Sequence, residues 1–301
     1  MHYDEKVGTY PPPSNEPGAV PVNVPPSRQE VLPPAGGYTV RRRTNRWPTW
    51  ASSPATYILV GINCAVYLAM IASHVSPTEP TIHQLMFFGA DNAGAVLIGG
   101  QWIRIVTAMF VHVGFLHLAL NMWCLWNLAL LAEPLMGSTG VIGVYILTGA
   151  GGNLLSTGVN WWRAYPDWLK YHDLGVFPVG AGASGAVFGI AGALIVLLKS
   201  PRLPVPPIEL SKLRKSVIYF AAINLVLGLG ISFGASMTQS GLRIDNMAHL
   251  GGFSSGLLFA MPMVPRLGSP RQLFNSRLRA ALLMLVSILV LFGFYLSRVA
   301  G

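Results

Sequence analysis

The chain has 301 residues, of which 52% are hydrophobic and only 10% charged, with a mean hydropathy of +0.51. Soluble domains carry roughly 25% charged residues, so the composition excludes an ordinary soluble globular protein and points to a membrane protein. Lys and Arg outnumber Asp and Glu by 20 to 11, yet they lie between apolar runs and form no patch with interleaved aromatics, which argues against a nucleic-acid partner.

Residues 1–46 are rich in proline (Pro11-Pro12-Pro13, Pro25-Pro26, Pro33-Pro34) and poor in large aliphatics. Too little apolar surface is available there to offset ordering entropy. The expectation is a disordered tail with some polyproline II character, and an inert tail is favoured over one that docks a partner. Asp4 and Glu5 occupy the extreme N-terminus without an apolar run behind them, so no cleaved signal peptide is expected. Arg41-Arg42-Arg43 and Arg46 close the segment.

Seven apolar stretches follow, at about 55–74, 114–133, 139–159, 182–199, 216–234, 246–264 and 280–298, each near the ~20 residues that cross ~30 Å of hydrocarbon. The expected organisation is a six-helix membrane domain over 47–265, then a linker and a seventh transmembrane helix over 266–301. Basic residues set the direction. The tail arginines, the loop with Lys199, Arg202, Lys212, Arg214 and Lys215, and the loop with Arg266, Arg271, Arg277 and Arg279 all fall on one side if the N-terminus is cytoplasmic. The stretch from about 75 to 113 holds Leu85-Met86-Phe87-Phe88 and Gln101-Trp102-Ile103-Arg104, and reads as short amphipathic pieces lying in the interface. Trp161, Trp162, Tyr165, Trp168 and Tyr171, placed in the loop after the third stretch, read as an interfacial aromatic belt. Cys64 and Cys124 sit inside apolar runs, so no disulfide framework is expected.

In this topology the second, fourth and sixth stretches all run from outside to inside. His117, Ser184 and His249 each fall within their first few residues. At ~1.5 Å rise per residue they share one shallow layer, roughly 5–10 Å below the outer surface. Polar groups placed in lipid are functional hypotheses by default, and a serine, a histidine and further hydrogen-bond donors are the inventory of an acyl-transfer site.

Each has a plainer reading. Ser184 in Gly182-Ala183-Ser184-Gly185 could mark close helix packing only. Gly185, Gly189 and Gly192 on the fourth stretch and Gly252, Gly256 and Ala260 on the sixth do predict tight contact, but such contact is also what a Ser184–His249 hydrogen bond needs. His117 and Asn121, four residues apart, share a helix face and could tie helices together or donate to an oxyanion. His112, His117 and His249 lack an accompanying Cys, Asp or Glu at ligand spacing, so neither a metal nor a cofactor is expected. Glu133 lies near the inner end of its helix, too deep to orient His249, and Asp245, just outside the sixth stretch, is a weak candidate for that role. The residues therefore support a dyad.

These motifs together resemble the rhomboid family of intramembrane serine proteases over about residues 55–264. Phe88-Gly89-Ala90 with Gln101-Trp102-Ile103-Arg104 resembles the family's first loop. His112 followed by His117-Leu118-Ala119-Leu120-Asn121 resembles its His-x-x-x-Asn element, and Glu133 stands where the family has a glutamate. Gly182-Ala183-Ser184-Gly185 resembles the nucleophile motif and Ala248-His249-Leu250-Gly251-Gly252 the base motif. One departure is Ile103, where the family usually has tryptophan before Arg104; Trp102 stands one position earlier.

The resemblance implies an all-α polytopic membrane protein, a rhomboid-like six-helix core plus a C-terminal seventh transmembrane helix. It implies Ser184 as nucleophile, His249 as base, His117, Asn121 and the Ser184 N–H as oxyanion hole, and Phe188 stacked on His249. Gly182, His112, Arg104 and Glu133 would support the site. Substrates would be transmembrane proteins met in the lipid bilayer, with 233–240 as a gate. The topology opens the site to the extracytoplasmic side, and a tail without the Arg-rich, acid-poor character of a mitochondrial presequence favours a plasma or inner membrane. The rivals are a proteolytically dead scaffold, which would usually lack the serine or histidine, and a small transporter, which would want its polar groups at the bilayer midplane.

Overall fold

The computed structural model describes residues 52–200, 203, 206–238, 245–266 and 269–300. The proline-rich tail with its arginines, and residues 239 and 240 of the expected gate, lie outside the described residues, as do the side chains of 233–238. Everything below concerns the unit Arg46–Gly301.

The described residues are almost entirely helical. Helix α1 spans Pro54–Ala72, and the first loop carries the short helix α2 (Ile82–Phe87), strand β1 (Asp91–Asn92) and short helices α3 (Ala93–Leu97) and α4 (Arg104–Thr107). Helix α5 (Phe115–Tyr171), strand β2 (Val179–Gly180), α6 (Ser184–Leu197), α7 (Pro207–Thr238), α8 (Asn246–Ala260) and α9 (Arg271–Ala300) complete the order. Four helices among the described residues are long and apolar enough to cross a bilayer, those starting at Pro54, Phe115, Asn246 and Arg271, and Ser184–Leu197 is a shorter apolar helix. This is a multi-pass membrane protein.

Helix α1 begins with Pro54 in its first turn, but the Ser53 side chain does not cap it. Glu133 does so from α5. Its carboxylate accepts from the amides of Ala55 (2.9 Å) and Thr56 (3.0 Å) and from the Thr56 hydroxyl (2.7 Å), and from the Ser138 hydroxyl (2.7 Å). Those amides belong to the first turn, whose N–H groups have no intrahelical acceptor.

Helix α5 is two limbs. Its 57 residues break at Gly137, with φ 73° and ψ 167°, in the left-handed region that glycine tolerates. A straight helix of that length would run about 85 Å, yet both limbs touch the first loop. The Phe115 amide donates to the Pro77 carbonyl (2.8 Å), and Asn153 Nδ2 donates to the Ile105 carbonyl (2.8 Å). The chain therefore reverses at Gly137. Along the second limb, Cβ atoms added to Gly140, Gly143, Gly151 and Gly158 would meet Leu278, Leu282, Leu289 and Leu296 in that order, so α9 runs parallel to this limb with leucines seated on its glycines.

The second limb continues past residue 159 to Tyr171, where the sequence reading placed a loop. Helix geometry brings the expected aromatic belt into register. Trp161 packs on Tyr165 (4.7 Å) and Trp168 (6.1 Å), and stacks on Phe177 from the next loop at 5.4 Å with planes 3° apart. Trp161 is 4% exposed, whereas Trp162 is 79% exposed. Only one of the pair is free to face lipid or headgroups; the other clamps the loop.

Arg104 organises the first loop. Its Nη1 donates to the carbonyls of Met86 and Ala90, both at 2.8 Å, and its Nε to Gln101 Oε1 (2.6 Å). Ile103 is 67% exposed, while Trp102 packs against the core. A tryptophan one position earlier thus makes the buried contact. β1 and β2 pair antiparallel, Asp91 with Gly180 and Asn92 with Val179, which ties this loop to the strand leading into α6.

Candidate active site

The small residues on α6 and α8 decide the geometry. A Cβ on Gly252 would overlap the Gly185 carbonyl oxygen, one on Gly256 the Gly189 carbonyl, and one on Gly192 the Phe253 carbonyl. No other residue type allows backbones so close, which is how small residues hold helices together in lipid. On the far side, Gly152 of α5 faces the Ala248 carbonyl, which a Cβ would approach to 2.5 Å. Helices α5, α6 and α8 thus form one tight block.

Ser184 is the first residue of α6, and His249 lies in the first turn of α8. The block brings Ser184 Oγ to 2.9 Å from His249 Nε2. With Nε2 unprotonated, the hydroxyl donates to it, an arrangement able to pass a proton from serine to imidazole. Phe188, one turn after Ser184, stacks on the imidazole with ring centroids 4.3 Å apart and planes 12° from parallel. His249 Nδ1 is buried and has no hydrogen-bond partner among the described residues. Asp245 makes no hydrogen bond to the ring. Its Oδ1 accepts from the amides of Met247 (3.1 Å) and Ala248 (3.0 Å), so it is the N-cap of α8. An aspartate just before an apolar helix is an N-terminal signal readable from sequence.

His117 stands opposite. Gly182 has φ +127°, and a Cβ there would lie 2.6 Å from His117 Cε1, so glycine is needed for both backbone angle and space. The Gly182 amide donates to the Ala108 carbonyl (2.9 Å). Asn121 Nδ2 donates to the His117 carbonyl (2.9 Å); an amide NH₂ has two hydrogens, so one remains for another acceptor. His112 is fully buried, 5.4 Å from the His117 ring, with Nδ1 3.3 Å from the Phe110 carbonyl.

Ser184, His249, Phe188, Gly182, His117 and His112 thus converge, with Asn121 bonded to the His117 carbonyl. Arg104 and Glu133 do not; they act on the first loop and on the start of α1. Among the described residues no three of His, Cys, Asp and Glu gather where a metal ion could be held.

A block of glycine-packed helices, with a hydroxyl and an imidazole meeting at their leading ends, is a helical membrane fold of defined class. A family model of the rhomboid domain matches residues 99–266, and the chain belongs to the rhomboid family. It is similar to rhomboid protease GluP of Bacillus subtilis (strain 168), with 28% identity over 80% of this chain and 40% of the relative. It is also similar to rhomboid protease AarA of Providencia stuartii, with 30% identity over 69% of this chain and 72% of the relative. RHOMBOID-like protein 1 of Arabidopsis thaliana is 30% identical over 69% of this chain and 46% of its own length. The chain therefore spans less than half of the Bacillus and Arabidopsis relatives.

Proposed function

We propose that this chain is an intramembrane serine endopeptidase that hydrolyses peptide bonds in or beside transmembrane segments of other proteins. The observation that carries the reading is the 2.9 Å approach of Ser184 Oγ to His249 Nε2 between α6 and α8. The names of the matched relatives, rhomboid proteases GluP and AarA, support it.

In this reading Ser184 Oγ attacks the scissile carbonyl carbon while His249 takes its proton. The resulting oxyanion is held by the Ser184 N–H, which no intrahelical carbonyl claims at the head of α6, and by Asn121 Nδ2 and His117. The tetrahedral adduct collapses as His249 returns the proton to the departing amine. Water, deprotonated by the same imidazole, then cleaves the acyl ester and restores Ser184. Phe188 holds the imidazole in place.

Helix α6 has 14 residues, about 21 Å, against ~30 Å of hydrocarbon. If its inner end meets the cytoplasmic interface, Ser184 lies below the outer surface yet within reach of water. The basic loops support a cytoplasmic N-terminus in a plasma or inner membrane, with the site opening to the extracytoplasmic side. In this reading the chain divides into a tail over 1–46, a catalytic domain over 47–265 and a seventh helix in 266–301.

The test is cleavage of a transmembrane substrate by the full chain in lipid vesicles. Ser184→Ala should abolish it; cleavage at the parental rate would overturn the reading. Fluorophosphonate labelling of Ser184 should fail in His249→Ala.

A further inference from the structure

Two carboxylates behind the candidate dyad play no part in the steps above. Asp245 caps α8 through Oδ1, as described, and its Oδ2 accepts the hydroxyl hydrogen of Ser156 on α5, itself bonded by Asn160 Nδ2 (3.0 Å). The next residue on α5, Thr157, donates to Asp91 Oδ2 (2.8 Å). Asp91 is 3% exposed, and its Oδ1 is buried without a hydrogen-bond partner among the described residues. Gly180 lies between the two acids. A Cβ on it would stand 3.4 Å from Asp245 Oδ2 and 3.7 Å from Asp91 Cβ.

We propose that Asp245 is a positioning residue for His249, and that Asp91, buried beside it, governs how firmly it holds the first turn of α8. This inference rests on the proposed protease reading. Adjacent hydroxyls of one helix hold the two carboxyls, so the first loop, α5 and α8 meet at a single acidic pair four residues before the imidazole. While Asp91 keeps a proton, the pair carries one negative charge, which the amides at the head of α8 favour. When Asp91 ionises, a second negative charge appears in a buried place, and like charges there repel.

Burial pushes the Asp91 carboxyl up to about 7 from its ordinary 3.8, with the Asp245 charge adding and the bonds from Thr157 and the Asn92 backbone opposing. Arg104 on α4 is the cation whose field also opposes. α3 and β2 bring no ionisable side chain, and α5 meets the pair with hydroxyls and an amide. The pair thus lends its full stability below the ordinary carboxylate range. The stability it lends is lost progressively as pH rises from about 4 to about 7, and stays lost above.

The experiment compares the full-length parental chain, Asp91→Asn, Asp245→Ala and Asp245→Asn in vesicles of one composition, from about pH 5.5 to about pH 8.5. Asp91→Asn keeps a partner for Thr157 without the charge. The ratio of its kcat to the parental kcat should rise by about threefold to tenfold across that range, since one proton governs the difference. Titration of His249 or His117 affects both proteins and cancels in the ratio. Asp245→Ala should lower kcat more than it raises KM, and Asp245→Asn, a competent cap, should restore most of it. Hydrogen exchange at the Met247 and Ala248 amides, corrected for intrinsic rates, should speed up with pH in the parental chain and not in Asp91→Asn. An active parental enzyme with a flat ratio, or exchange equally pH-dependent in both, overturns the proposal. A parental chain that neither cleaves nor labels overturns the protease reading instead, and the exchange measurement still decides this one.

Discussion

Phe188 lies flat on His249, 4.3 Å away and 12° from parallel. It sits one turn after Ser184 on α6, so a single helix carries both the hydroxyl and the surface against which the partner imidazole rests. The spacing between Oγ and Nε2 is therefore set by α6–α8 packing and held against rotation of the histidine ring by an aromatic plate. A ring free to swing would spend little time at hydrogen-bond distance.

Phe188→Ala is accordingly expected to lower kcat by about 10-fold to 10²-fold through misplacement of the base, with little change in KM. Phe188→Leu, which keeps part of the surface, should fall between. Steady-state kinetics on a transmembrane substrate checks this; a KM effect with intact kcat would assign Phe188 to substrate binding.

Asn121→Ala should reduce kcat by about 10²–10³, the usual loss for one oxyanion donor. Fold and thermal stability should be nearly unchanged, because the residue's own bond is to a carbonyl within its helix. The diagnostic comparison is kcat against melting temperature. Parallel loss of both would mean that Asn121 only ties the helix together.

Gly252→Val places a branched side chain against the Gly185 carbonyl. Overpacking of a filled core costs about 1–3 kcal/mol or more, and here the obstacle is backbone. The variant should unfold at lower denaturant and lose fluorophosphonate labelling of Ser184. Gly61→Val, where nothing among the described residues lies within 4 Å of the added Cβ, serves as the silent control in the same assay.

Glu133→Ala leaves the amides of Ala55 and Thr56 without their acceptor. The expected loss is about 2–4 kcal/mol, for bonds to a charged acceptor and orphaned donors together. Hydrogen exchange should localise the change to the first turn of α1, and the site on α6 and α8 should keep its labelling rate.

Much of this was legible in the residues. Ser184, His117 and His249 announced themselves as polar groups near the starts of apolar runs, and the glycines of α6 and α8 foretold their close approach. The rest depended on partners far apart in sequence. Nothing around Glu133 says that its acceptors serve α1, 78 residues earlier. Ser156 and Thr157 look like ordinary small polar residues in a membrane helix until the fold sets Asp245 and Asp91 against them. The spacing of the aromatic cluster suits an interfacial loop as well as a helix; the continuation of α5 to Tyr171 and the stacking of Trp161 on Phe177 distinguish the two.

The reversal at Gly137 has a mechanical consequence. A lone glycine joins the limb bearing His117 and Asn121 to the limb bearing Ser156 and Thr157, leaving no slack with which to splay them apart. Their separation is pinned at the Gly137 end, like the closed end of a hairpin. Under the proposed function an incoming polypeptide is then admitted by movement of other helices, and lengthening that joint by a few flexible residues should loosen both limbs at once.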